Sequence, residues 1–259
     1  MSSTIRVLGC SGGISKDLRT TSLLLDEDTL IDAGTGVGDL SLDELKKIDQ
    51  VFLTHSHLDH ICSIAFLVDA VGAARSQPLK VYGLRETLGA LQKHIFNNVI
   101  WPDFTKIPNI EKPFVTLHEI SLGQTIQIGV RSVTALPVQH SIPAVGYQID
   151  SGSGKLVFSG DTGPCEEFWK AINRLENVRH LLIENSFTDS NISLANISGH
   201  FCSSLLAKDF QHLTTTDMKI WITHLKPESA DKIMGELVET LRLNPVHASR
   251  LERGEALVF

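Results

Sequence analysis

Short apolar runs alternate with amphipathic stretches along the chain, and their spacing sets the predicted elements. Ile5 to Cys10 reads as a strand running into the loop Ser11-Gly12-Gly13. Ser22 to Asp26 and Thr29 to Asp32 flank Glu27-Asp28 as the two arms of a hairpin. Gln50 to Thr54 has the continuous apolar character of a strand covered on both faces. Leu79 to Gly83, Thr125 to Val138, Ala144 to Asp150, Lys155 to Ser159, His180 to Glu184, Lys219 to Thr223 and Ala256 to Phe259 complete the strand list. Helical spacing covers Asp43 to Ile48, His60 to Arg75, Glu86 to Ile95, Glu166 to Leu175, Ile197 to His212 and Glu228 to Leu241. Phe96 to Pro113 is irregular, holding three prolines with Trp101 and Phe104 as exposed-looking aromatics. Two clusters of strands, each followed by helices, predict an α+β protein built as an αββα four-layer sandwich. A doubly wound sheet also satisfies the pattern. One domain over residues 1–259 is expected, since a chain of this length can still organise a single core.

Composition changes this picture little. Lys and Arg number 23 against 30 Asp and Glu, a net charge of −7, which argues against a long nucleic-acid partner. No 18-residue apolar run predicts a membrane span, and the first residues do not resemble a secretory leader. The four cysteines, Cys10, Cys62, Cys165 and Cys202, are far apart, so a reducing, cytoplasmic setting is expected. The unusual count is eleven histidines against two tyrosines.

Chemistry concentrates in Thr54-His-Ser-His-Leu-Asp-His60, between an apolar strand and an apolar helix. His55 and His57 alternate along an extended segment and can face one way. Asp59 and His60 open the helix, where the positive helix end favours a carboxylate. Four ionisable groups between two apolar elements would be costly without partners, and these are donor types for zinc, iron or manganese. His140, Asp161 in Phe158-Ser-Gly-Asp-Thr-Gly163 and His224 in Ile222-Thr-His224 each follow a strand. Each alone reads as an ordinary loop residue; their order after the first motif makes them candidate ligands.

That order resembles the metallo-β-lactamase superfamily and, more narrowly, the class II 3′,5′-cyclic-nucleotide phosphodiesterases. The matching pieces include Leu8-Gly-Cys-Ser-Gly-Gly13, Ile31-Asp-Ala-Gly34, the His55 motif, Asn97-Asn-Val-Ile-Trp-Pro102, Phe158 to Pro164, Ile183-Glu-Asn-Ser-Phe187, Ser198-Gly-His200 and His224-Leu-Lys-Pro227. The resemblance implies two divalent ions, zinc first, with manganese or iron as alternatives. His55, His57 and His140 would hold the first ion, Asp59, His60 and His224 the second, and Asp161 both. A water shared between the ions would be acidified into the nucleophile. Asp59 counts among the catalytic residues as well as the ligands. Ala195-Asn-Ile-Ser-Gly-His200 is similar to a tRNase Z pattern in which the histidine works with a strand-end glutamate, here Glu184. His200 is therefore the expected proton donor, because a neighbouring carboxylate favours imidazolium.

The implied activity is hydrolysis of a small phosphodiester, cAMP or cGMP to the 5′-nucleotide. The alternatives are a tRNase Z-like RNA-processing enzyme and another hydrolase of the superfamily. A homodimer is a prior expectation only. Ser11-Gly12-Gly13 could offer amides to phosphate or form a plain turn, Asp32 could orient a metal-bound histidine, and Lys226 could hold phosphate or merely precede a helix. Trp101 and Phe104 could stack on a base or be buried. His94, His118, His180, His212 and His247 read as surface or helix residues without partners.

Overall fold

The computed structural model describes residues 2–215, 217–242 and 246–259. Two seven-stranded sheets face each other. The first contains β1 (Thr4–Gly9), β2 (Ser22–Leu25), β3 (Thr29–Ile31), β4 (Gln50–Phe52), β5 (Leu79–Gly83), β6 (Val115–Glu119) and, on the outside of β1, β14 (Ala256–Val258). The second runs β7 (Thr125–Ile128), β8 (Arg131–Pro137), β9 (Val145–Asp150), β10 (Lys155–Phe158), β11 (Val178–Glu184), β12 (Lys219–Thr223) and β13 (Ala248–Arg250). Pairing is parallel from β3 through β6 and from β10 through β13, and antiparallel elsewhere.

Strand periodicity explains the layers. Ile5, Val7, Leu23, Leu25, Ile31 and Phe52 point inward to meet Val133, Ala135, Tyr147, Leu156, Phe158 and Leu182 of the other sheet. Their alternate neighbours Leu24, Leu30 and Val51 point outward, where α2 (Leu58–Val71) and α3 (Arg85–His94) cover them, with α1 (Leu42–Lys47) supplying Leu45. On the far side Val157, Leu181 and Ile183 pack under α4 (Glu166–Ile172), α6 (Ser203–Asp209) and α7 (Ala230–Thr240). With both faces covered, the central strands carry apolar residues on both faces, hence runs such as Leu23 to Leu25 and Leu181 to Ile183. This is the expected αββα sandwich. No helix among the described residues is long and apolar enough to cross a membrane.

Several expectations need correction. Thr125 to Val138 is a hairpin, turned at Gly129 with φ +60°, and not one strand. Strands β6 and β13 were not expected, because each is a short edge strand with few buried side chains. Helix α2 begins at Leu58, two residues before the expected start, so Asp59 lies inside its first turn. The helix expected over Ile197 to His212 is two helices, α5 (Ile192–Ser198) and α6, broken at Gly199. Phe104 is a buried core residue and Trp101 packs partly against the same core, meeting Phe66 edge-on.

Candidate metal centre

Every candidate ligand leaves the end of a strand along one edge of the sandwich. β4 leads through His55 and His57 into α2, which presents Asp59 and His60 in its first turn. His140 follows β8, Asp161 follows β10 and His224 follows β12 directly. The fold gathers them into two groups: His55, His57, His140 and Asp161, then Asp59, His60, Asp161 and His224, with ligand atoms within 4.8 Å of one another in each.

The separations suit small tetrahedral ions. His55 Nε2 and His140 Nε2 lie 3.0 and 3.2 Å from His57 Nδ1. A tetrahedron with bonds of about 2.0–2.1 Å has edges of about 3.3 Å. Asp161 Oδ2 stands 3.3 Å from both His60 Nε2 and His224 Nε2 and 3.7 Å from His55 Nε2, between the groups. Asp59 Oδ2 is 3.2 Å from His224 Nε2. His60 Nε2 is buried and makes no hydrogen bond among the described residues. A buried nitrogen facing two carboxylates without a hydrogen bond is what an ion would satisfy, so the donor set fits a metal.

The far nitrogens of His55, His60, His140 and His224 are also held, which fixes the tautomers of these four rings. His60 Nδ1 lies 2.7 Å from Asp32 Oδ2. Asp32 accepts the Thr54 amide and hydroxyl, both at 2.8 Å. With its proton given to Asp32, Thr54 Oγ1 accepts from His55 Nδ1 at 3.0 Å. His140 Nδ1 donates to the Gly199 carbonyl at 2.8 Å, and His224 Nδ1 donates to Ser186 Oγ at 2.9 Å. The orienting role expected of Asp32 thus has its geometry; Thr54, Ser186 and the Gly199 carbonyl had no sequence signal.

Two of these residues occupy the left-handed region, Asp32 at φ +57° and His224 at φ +60°. Such strain persists only where surrounding contacts enforce it.

Charge follows burial. Burial, reinforced by neighbouring imidazoles, pushes His55 well below the usual histidine range, and His57 and His140 are lowered for the same first reason. These rings are neutral near pH 7, as ligands must be. Burial alone would raise Asp161, but His224, His60 and His55 hold it well below the carboxylate range. Burial opposes charge on His60 too, yet Asp161 and Asp32 raise it well above its ordinary value. The two buried carboxylates therefore demand a positive charge at this point.

The break after α5 makes the third group. Gly199 adopts φ +69°, and a Cβ there would lie 2.7 Å from the Ser141 amide and 2.9 Å from the His140 carbonyl carbon. The chain then turns back, and the Ser186 and Phe187 amides both donate to the Phe201 carbonyl at 3.1 Å. That zipper lays His200 beside β11, with Nδ1 2.6 Å from Glu184 Oε1. Glu184 also accepts the Thr162 amide at 3.0 Å and the Ser186 hydroxyl at 2.8 Å. Burial disfavours imidazolium at His200, but Glu184 outweighs it and raises the pKa. Gly199→Ala is expected to lower stability by about 1–3 kcal/mol through the positive φ and the clash. It should also weaken first-ion binding through His140. A thermal melt and a zinc titration check both.

The remaining candidates resolve differently. The Gly12 amide is spent on the Leu225 carbonyl at 3.0 Å, and a Cβ on Gly12 would strike the His224 carbonyl oxygen at 2.5 Å. Close backbone approach, a turn packed under His224, explains that glycine. Lys226 Nζ donates to the Gly12 carbonyl at 2.9 Å and lies 5.9 Å from the Phe187 ring centroid. His118, read as a surface or helix residue, lies in β6, His180 lies in the expected strand, and both have partners that the sequence did not indicate. His118 stacks on Tyr82, and His180 accepts from Trp221 Nε1 at 3.1 Å and faces the Val258 carbonyl.

Known proteins share this architecture. A family profile described as "Beta-lactamase superfamily domain" matches residues 28–237. An Aliivibrio fischeri protein named 3′,5′-cyclic-nucleotide phosphodiesterase is 25% identical, over 97% of this chain and 91% of that protein. A Methanopyrus kandleri protein named Ribonuclease Z is 28% identical over 57% of this chain and 50% of its own length. Two further relatives with the cyclic-nucleotide name are spanned over only 20% and 58% of their lengths. Among solved structures, unliganded yeast PDE1 superposes with a TM-score of 0.82 at 19% identity, over 99% of both chains.

Proposed function

Because the chain belongs to the beta-lactamase superfamily and is by that membership a metal-dependent hydrolase, we propose that it is a dimetal phosphodiesterase that opens 3′,5′-cyclic nucleotides such as cAMP and cGMP to 5′-nucleotides. The observation that carries this reading is the 2.6 Å His200–Glu184 pair beside the two ligand groups. A phosphodiester loses an alkoxide, and an alkoxide needs a proton to leave. His200 Nδ1–H donates to Glu184, which favours the imidazolium and leaves Nε2–H free for the leaving oxygen. His55, His57 and His140 would hold one ion, Asp59, His60 and His224 the other, and Asp161 both. When bound, two such ions, zinc before manganese or iron, supply charge against the phosphate oxygens and acidify a water for attack. Asp59 is the ligand carboxylate with solvent access, its side chain 30% exposed against 3% for Asp161. That suits it to orient an incoming group as well as bind an ion.

A small substrate is favoured over RNA by the −7 net charge, since long RNA needs a basic face. The relative matched near full length also carries the cyclic-nucleotide name, whereas the ribonuclease Z relative aligns over 57% of the chain. The test is a panel of bis-p-nitrophenyl phosphate, cAMP, cGMP, 2′,3′-cyclic nucleotides and precursor tRNA, with Zn²⁺ or Mn²⁺ added. Turnover of cAMP or cGMP to the 5′-nucleotide is expected, with precursor tRNA left intact. Cleavage of precursor tRNA alone would move the assignment to RNA processing. No diester turned over, with two metals bound, would reject the cyclic-nucleotide and the RNA-processing readings together.

A further inference from the structure

One fully buried hydroxyl touches both halves of the site. Ser186 Oγ lies 2.9 Å from His224 Nδ1, 2.8 Å from Glu184 Oε2 and 3.2 Å from His200 Nδ1. Its side chain has no solvent access, so no water can stand in for these partners without a rearrangement. The directions of the bonds follow from proton counting. His224 turns Nε2 toward Asp59 and Asp161, at 3.2 and 3.3 Å, so the nitrogen that faces the ion position is Nε2. The ring proton must then sit on Nδ1, and Ser186 Oγ accepts it. The hydroxyl has one proton of its own, and Glu184 Oε2 is the carboxylate that takes it. Glu184 Oε1 is left for His200 and the Thr162 amide.

We propose that Ser186 is a positioning residue that links the second ion's ligand His224 to the Glu184–His200 pair. It fixes the His224 tautomer that bares Nε2, and it anchors the glutamate that holds His200. The Thr162 amide also holds Glu184, at 3.0 Å, but among the described residues only Ser186 bonds both Glu184 and His224 Nδ1. The other orienting groups, Asp32, Thr54 and the Gly199 carbonyl, each serve histidines of the metal groups and do not reach Glu184. The inference deepens the dimetal reading of this site, but its test does not depend on turnover.

The experiment compares the wild type with Ser186→Ala and Ser186→Thr by two measurements. Zinc titration by calorimetry reads the two binding events separately. Nitrogen-15 NMR of the zinc-loaded protein reads the His200 Nδ1 proton, which the short bond to Glu184 should protect from exchange. In Ser186→Ala the second zinc is expected to bind about 10–100-fold more weakly, the usual loss when a group behind a metal ligand is removed. The first zinc should bind as in the wild type, and the protected His200 proton signal should be lost. Ser186→Thr, which keeps the hydroxyl, should restore both. Because the alanine variant leaves two buried groups unpaired, both readings are taken on protein that still unfolds cooperatively. Wild-type affinity for the second zinc, or an unchanged His200 signal, overturns the proposal, since the claim is the link between the two. A general loss affecting both ions equally overturns it as well, because that is the mark of a loosened fold. Should no diester be hydrolysed, the phosphodiesterase reading fails while these two measurements still decide the role of Ser186.

Discussion

Asp161→Asn is expected to abolish hydrolysis, by about 10³-fold or more, and to leave the protein unable to hold two ions together. The reason is position. Among the described residues, Asp161 Oδ2 is the one carboxylate oxygen within 3.3 Å of both His60 Nε2 and His224 Nε2, and it is also close to His55 at 3.7 Å. Its charge is secured by those imidazoles against a burial that would otherwise raise its pKa. An amide in its place has the same shape and no charge. Two cations placed side by side would then repel without the anion between them, a penalty that rises steeply in a buried site. A loss of 10³ in rate corresponds to about 4 kcal/mol, within what ions supply to such a reaction. Two measurements check it. Elemental analysis should find fewer than two ions per chain. The rise in melting temperature on adding zinc should shrink, because an ion held at 100 times its Kd stabilises the fold by about 2.7 kcal/mol. A variant that keeps both ions at wild-type affinity would remove Asp161 from between them.

What the sequence disclosed and what it hid differ by range of interaction. His55, His57, Asp59 and His60 are read from local spacing, because a strand followed by a helix turns a short motif into one cluster. Asp161, His140 and His224 are legible because each ends an apolar strand, and parallel strand ends meet along one edge of the sandwich. Ser186 and Thr54 were not legible. A serine or threonine after a strand has no signature until the fold brings its hydroxyl to an imidazole, in the case of Ser186 one 38 positions away. The break at Gly199 was hidden for the opposite reason. The stretch from Ile197 onward has helical spacing on both sides of the glycine, and the close approach of the His140 and Ser141 backbone to the left-handed Gly199 appears only in the fold. Strands β6 and β13 lie at sheet edges, where half-exposed side chains blur the two-residue alternation. Phe104 looked exposed because its segment is proline-rich, yet it ends buried in the helix-side core beside Phe96 and Phe114.

His200→Ala should cost about 10²–10⁴ in kcat on a cyclic nucleotide, the range for a general acid, while both ions stay bound. The same change should cost much less with bis-p-nitrophenyl phosphate, whose phenolate leaves without a proton. That contrast separates proton donation from phosphate binding, which would affect both substrates alike. Glu184→Gln tests the cause of the donor's charge. Glu184 raises the His200 pKa against burial, which lowers it. The wild type therefore keeps the acid form above the ordinary histidine value and loses activity only as the pH climbs past the raised one. Without the carboxylate, burial prevails and the acid form disappears at lower pH. The alkaline limb of the kcat profile for cAMP should shift toward acid, and its maximum should fall because less imidazolium exists near neutrality. An unshifted alkaline limb in Glu184→Gln would mean that another group carries the proton. Metal lost from His200→Ala, by elemental analysis, would make His200 a ligand instead, a role that its place in the Glu184, His200 and His224 cluster makes worth excluding.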